Sequence, residues 1–332
     1  MTSKRNIGLD LFRIVMMFGI CLIHASAQGE YRSARLANIA SPSVVGFAMI
    51  SGYFGLRFAP SKLIRLYALA IGYSFLTPLF SFDFSTGGGY MHSVIEAWGA
   101  PWRYWYLHSY AALLCLSPAL SKDELGFRQP FVLMVFIWGY LLNYRTVASI
   151  IPRIDGFGSH TFVTLLGIYL ITRIAKENNY FDKPTSKVLI GVGLMSLLVL
   201  YFVSASGSYN SPVSYALIFS LFVIFKRIQS LGQVDRIIRL VAPSMFGVYL
   251  LHCSLTFPGF STEYYGLIND IKELFVNIIG SNIAACILAA FVVFAISLAI
   301  DLLRRAILAP VKWRIDGMCN ALDKVWERRL KS

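Results

Sequence analysis

Acidic residues are scarce in this chain. It holds 17 Asp and Glu against 30 Lys and Arg in 332 residues, and charged residues of both signs make up only 14%. A soluble domain carries about a quarter of its residues charged, so this share excludes an ordinary solvated surface over the whole chain. Cysteine is sparse as well: Cys21, Cys115, Cys253, Cys286 and Cys319 show none of the paired spacings of a metal site or a disulfide framework. They read as small apolar fillers, and no metal is expected. No segment between the hydrophobic runs is long enough to bury a separate soluble core. What the chain does have is apolar surface, 57% hydrophobic residues and 15% aromatic, with a mean hydropathy of +0.62. These values describe a polytopic membrane protein. The formal charge of +13 lies between hydrophobic runs rather than in a basic domain, which argues against nucleic acid as a partner.

Apolar windows of roughly 17 to 22 residues give ten candidate spans, at 9–28, 42–58, 63–82, 104–120, 130–144, 161–174, 188–205, 212–225, 244–260 and 283–303. The expected fold is an all-α membrane bundle of about ten transmembrane helices over residues 1–303. A basic tail, 304–332, follows it, interrupted by Pro310 and Gly317 and expected to lie on the anionic cytoplasmic leaflet. With the amino terminus inside, 23 of the 30 Lys and Arg fall in cytoplasmic segments, six fall outside, and Arg13 lies within the membrane. That bias predicts that both termini are cytoplasmic. Lys4, Arg5, the apolar run 14–23 and Ala25-Ser26-Ala27 also pass locally for a signal peptide, a pattern that Asp10 and Arg13 fit less well.

The first span carries two residues foreign to hydrocarbon, Arg13 and His24. They are 11 residues apart, which at about 100° per residue is three turns plus roughly 20°, so both lie on one stripe. Asp10, Met17 and Ile20 share it. The two charged or polar groups start about 16 Å apart along the axis, one in each half of the membrane. A guanidinium at depth costs at least a few kcal/mol unless it faces protein or a wet cavity, so the stripe reads as a polar pathway. Snorkelling of each group to its own interface is the competing explanation.

Other polar groups sit at membrane depth. Ser51 and Gly52 lie in the second span, where close helix approach explains the glycine. Lys62 and Arg65 share a face at the start of the third, suited to an anion such as a phosphate, although positive-inside bias explains them equally well. Trp105, Tyr106 and His108 open the fourth span, within an outer aromatic group that suits sugar faces or an interfacial belt. His252 falls near the middle of the ninth span, where an imidazole must find a partner, and Tyr249 precedes it by one turn.

Taken in order, Arg13 and His24 in the first span, Ile50-Ser51-Gly52-Tyr53-Phe54, the basic start of the third span, Trp105-Tyr106-Leu107, and Phe246-Gly247-Val248-Tyr249-Leu250-Leu251-His252 resemble the acyltransferase 3 family. These are bacterial integral-membrane O-acyltransferases of surface polysaccharides. The resemblance covers essentially the whole chain. It implies an acyl-CoA donor, usually acetyl-CoA, taken from the cytoplasm, and a sugar hydroxyl acceptor on a lipid-linked or growing polysaccharide, at the cytoplasmic (inner) membrane. By the same resemblance His24 is the essential histidine, Arg13 its companion, and Arg65 a donor-site cation, with Lys62 standing where many members have a second arginine. Asp10, Ser51, Trp105, Tyr106, Tyr249 and His252 are expected to line the substrate path. The rival reading, a transporter or flippase of a lipid-linked glycan, would use Arg13, His24 and His252 as a transport path without consuming acyl-CoA. A membrane scaffold would use them only to order helices.

Overall fold

The structure, a computed structural model, describes residues 5–27, 31–76, 104–118, 120, 162–203, 211–256 and 266–329. The span expected at 130–144 lies outside these residues, as do the far ends of those expected at 63–82, 188–205 and 244–260. Among the described residues every regular element is helical.

A proline-free apolar run gives α1 (Ile7–Ala27). Asn6 opens it, accepting from Leu9 N at 2.9 Å and donating to the Lys226 carbonyl at 2.9 Å. This ties the amino end of α1 to the end of a distant helix and satisfies one of the helix's unpaired amides. Then come α2 (Ala34–Ala40) and α3 (Ser43–Phe54). The two follow one another across Ser41-Pro42, where a proline before the first helical turn forfeits no hydrogen bond. Next are α4 (Pro60–Ser74), α5 (Trp105–Leu116), α6 (Phe162–Glu177), α7 (Ser186–Phe202) and α8 (Pro212–Lys226). The short α9 (Val234–Val241) leads into α10 (Met245–Thr256), followed by α11 (Gly266–Ile279), α12 (Asn282–Leu308) and α13 (Lys312–Arg329). Among the described residues three stretches are long and apolar enough to cross a membrane: Ile7–Ala27, Ala34–Phe54 and Asn282–Arg328.

α1 is the axis of the bundle because both of its flanks are buried in different cores. Met17, Ile20, Cys21 and Ile23 pack with Leu107 of α5, Val248 and Leu251 of α10, and Ala289, Ala290 and Val293 of α12. On the other flank Leu9, Phe12 and Met16 meet Val45 and Met49 of α3, Leu165 and Ile168 of α6, and Phe222 of α8. Within lipid the apolar effect does not favour one helix pair over another, so van der Waals fit and small residues decide the neighbours. The alanines of α12 let it approach α1 closely.

Nine of the ten expected spans coincide with described helices, with shifted ends. The last helix does not stop near position 303. It runs to Leu308, where Arg304 stays helical by donating to Asp301 one turn earlier. Pro310 sits in a single tight turn, Ala309–Val311, ahead of α13, where its missing N–H has no consequence, and Gly317 lies within α13 without breaking it.

Candidate functional site

The Arg13 stripe faces inward. Asp10 is 2% exposed, Met17 is fully buried, and Ile20 is buried, while Arg13 and His24 are half-buried. Asp10 is held between two guanidiniums: Arg5 Nε donates to one carboxylate oxygen and Arg13 Nη1 to the other at 3.2 Å. A buried carboxylate with an arginine on each oxygen, Arg5 just before α1 and Arg13 one turn along it, is neutralised locally. The Arg13 guanidinium also lies 5.9 Å from the centre of the Phe54 ring, so Phe54 provides a cation face as well as bulk.

Eleven residues along α1, the His24 ring lies 5.1 Å from that of His252, inclined by 41°. His252 is fully buried on α10. Its Nδ1 contacts the Tyr249 carbonyl at 2.5 Å and the Val248 carbonyl at 3.3 Å. Donation to those carbonyls places the proton on Nδ1 and leaves Nε2 with its lone pair, 3.7 Å from Cys253 Sγ. Position 252 thus carries an acceptor nitrogen on a fully buried ring packed against that of His24.

From the histidine pair a column of phenols runs toward Arg13. Tyr249 lies 5.7 Å from His252, Tyr106 5.7 Å from Tyr249, and Tyr110 6.4 Å from Tyr106 in a stacked arrangement. Tyr110 lies within electrostatic reach of Arg13. Trp105 and Phe47 close the column laterally, at 5.8 and 6.4 Å from Tyr106. The structure thus brings together Asp10, Arg13, His24, Trp105, Tyr106, Tyr249 and His252. Tyr110 was missed in the sequence. It lies one turn after Tyr106, and that spacing was the available signal.

Three residues stand apart. Ser51 Oγ donates to the Phe47 carbonyl of its own helix at 3.2 Å. Lys62 is exposed and donates to the Arg57 carbonyl at 2.7 Å. Arg65, which shares a helix face with Lys62, turns instead to α13, donating Nη2 to Asp316 at 2.7 Å and Nε to Cys319 Sγ at 3.1 Å.

A second buried group also escaped the sequence reading. Asp301, 1% exposed on α12, accepts at Oδ1 from Tyr73 at 2.5 Å and from Arg304 Nη2 at 2.8 Å. Gly247 lies against it so closely that a Cβ there would come within 2.1 Å of Asp301 Oδ1. The glycine of the Phe246-Gly247-Val248 phrase is therefore explained by the acid on the facing helix. The signal was a lone acid near the end of a long apolar run, one turn before a basic pair.

Apolar helices around an inward-facing arginine and an imidazole pair make this a membrane protein of acyl transfer, because the family model described as an acyltransferase domain matches residues 6–302. The chain belongs to the acyltransferase 3 family. No curated protein and no solved structure matches it.

Proposed function

We propose that the protein moves an acyl group, acetyl in the simplest case, from acyl-CoA to a sugar hydroxyl of a cell-surface or lipid-linked polysaccharide. The family resemblance implies that the donor is taken from the cytoplasm, the side to which the charge bias of the sequence assigns both termini. The observation that carries this reading is the pairing of His24 with His252 at one end of an aromatic column whose other end reaches Arg13.

In this mechanism neutral His24 is the general base. It takes the proton of the acceptor hydroxyl as the oxygen attacks the thioester carbonyl carbon. The new C–O bond forms, the C–S bond breaks, and His24 returns the proton to the departing CoA sulfur. The Nε2 lone pair of His252 is the acceptor that steadies the transient imidazolium. An alternative order, in which His24 itself carries the acyl group briefly, uses the same atoms and releases CoA first. Arg13, about 16 Å from His24 along the axis, is too far to serve the same carbonyl and acts on the donor or on the polar path.

The test is incubation of the purified protein with labelled acetyl-CoA and a polysaccharide acceptor. The wild type is expected to release CoA and label the glycan, and His24→Ala to do neither while still inserting and accumulating. Unchanged acylation in His24→Ala, or glycan movement with no CoA release, overturns the reading.

A further inference from the structure

At the basic end of the bundle a cleft of about 1120 Å³ opens between α4, α12 and α13. Among the described residues its charged lining is lopsided: Arg65, Arg304, Arg305 and Lys312 face it, against the single carboxylate of Asp316. Leu69, Leu76, Ile300 and Leu303 make its apolar wall. Four cations around one acid, next to an apolar surface, suit a ligand with more than one phosphate and a long flexible arm.

The cations are positioned but not saturated. Arg305 Nη1 donates to the Leu240 carbonyl and to Ser244 Oγ, both at 2.8 Å, which fixes the guanidinium and leaves further N–H groups. Arg304 is fixed on Asp301 and Tyr73, to whose hydroxyl its Nε donates at 2.8 Å. Arg65 is occupied by Asp316. Both partners of that pair are partly solvated, with side chains 46% and 39% exposed, so the contact is of the weak, exchangeable kind.

α13 is anchored to the start of α4 and to the segment just before it by other groups besides. Asp323 accepts from Ser61 N at 3.0 Å and from Ser61 Oγ at 2.6 Å, Glu327 accepts from Arg57 at 3.3 Å, and Trp326 lies 5.5 Å from Phe58. The helix therefore stays docked when one contact is exchanged. Asp316, Asp323 and Glu327 fall within about 40° of one another around α13, so its acids form a single seam against α4 and the segment just before it.

We propose that this cleft is a phosphate cradle completed by α13, in which Asp316 is a resident counter-ion that the ligand's phosphates displace from Arg65, with Arg305 and Lys312 closing around them. It rests on the reading of the protein as acyl-CoA-dependent, and it adds to the donor site cations that no span motif contributes. A phospholipid headgroup shares the chemistry of a phosphate on a long arm, so the experiment separates the two sources.

The full-length protein is reconstituted in nanodiscs of phosphatidylcholine alone, or with added phosphatidylglycerol, and titrated with adenosine 3′,5′-diphosphate and with CoA. Wild type, Asp316→Asn, Lys312→Gln and Arg305→Lys are compared, with melting curves to exclude misfolding. Asp316→Asn is expected to bind the nucleotide about two- to fivefold tighter, Lys312→Gln about two- to fivefold weaker, and Arg305→Lys also weaker, because an ammonium cannot hold the Leu240 carbonyl and Ser244 and still offer a phosphate the guanidinium fork. If these variants leave nucleotide and CoA affinity unchanged while acyl transfer continues, the cradle is wrong and the enzymatic reading stands. If no form of the protein binds CoA, the enzymatic reading falls. If the variants alter only competition by phosphatidylglycerol, the cleft is a lipid site and the proposal is overturned.

Discussion

His252 uses Nδ1 for carbonyls of its own helix while its ring packs 5.1 Å from that of His24, so the role of Nε2 can be separated from the bulk of the ring. His252→Phe keeps a ring in the core but removes the acceptor nitrogen. Acyl transfer is expected to fall by roughly 10²-fold with little change in melting temperature, and an unaltered rate would remove His252 from the mechanism. At this scale the sequence was informative about identity and silent about contact. The 11-residue spacing placed Arg13 and His24 on one stripe of α1, but nothing in the chain said that α10 would bring His252 to within 5.1 Å of His24. Tertiary packing decides that distance. Lys62 and Arg65 show the converse: they share a helix face, yet the carboxylate of Asp316, some 250 residues away, selects only Arg65.

Among the elements, the meeting of α10 and α12 is a tight constraint set by a buried acid. With Asp301 only 2.1 Å from where a Cβ would lie on Gly247, Gly247→Ala must push the two helices apart or displace the carboxylate from Tyr73 and Arg304. Overpacking of this sort costs about 1–3 kcal/mol, measurable as a lower melting temperature, whereas Gly72, with open space around it, should accept alanine freely. A second prediction concerns the turn before α9, outside the spans. Leu231 N and Ser230 Oγ donate to the Asp235 carboxylate at 2.7 and 2.8 Å and hold its pKa below the usual value. The folded pKa is the lower one, so the turn's stabilisation is complete above the ordinary carboxylate range, near pH 4, and is lost as pH falls through the depressed value. Protection of the Leu231 amide should follow that course and be insensitive to pH in Asp235→Asn. Hydropathy windows located the apolar helices but passed over α11, because a helix with polar residues on one side averages out in a long window. Lys272, counted in the sequence as a loop charge, is fully buried on that helix.

For the molecule as a whole, the first helix is enclosed by elements drawn from the entire chain, with α12, the last of the apolar helices, among its principal neighbours. The class of fold was legible because composition and hydropathy report environment. The order of neighbours was not, since in lipid many pairings of apolar helices have similar energies and shape alone selects among them. The closure of the bundle by α12 governs its birth. At synthesis rates of about 5–20 residues per second, α1 leaves the ribosome roughly 10–50 s before α12 does. For that interval Asp10, Arg13 and His24 must be sheltered by the insertion machinery or by interim neighbours. Chains cut short ahead of Asn282 should therefore be cleared by quality-control proteases, and pulse-chase labelling would show a half-life well below that of the full chain. Stable accumulation of such fragments would mean that the opening helix finds its resting place unaided.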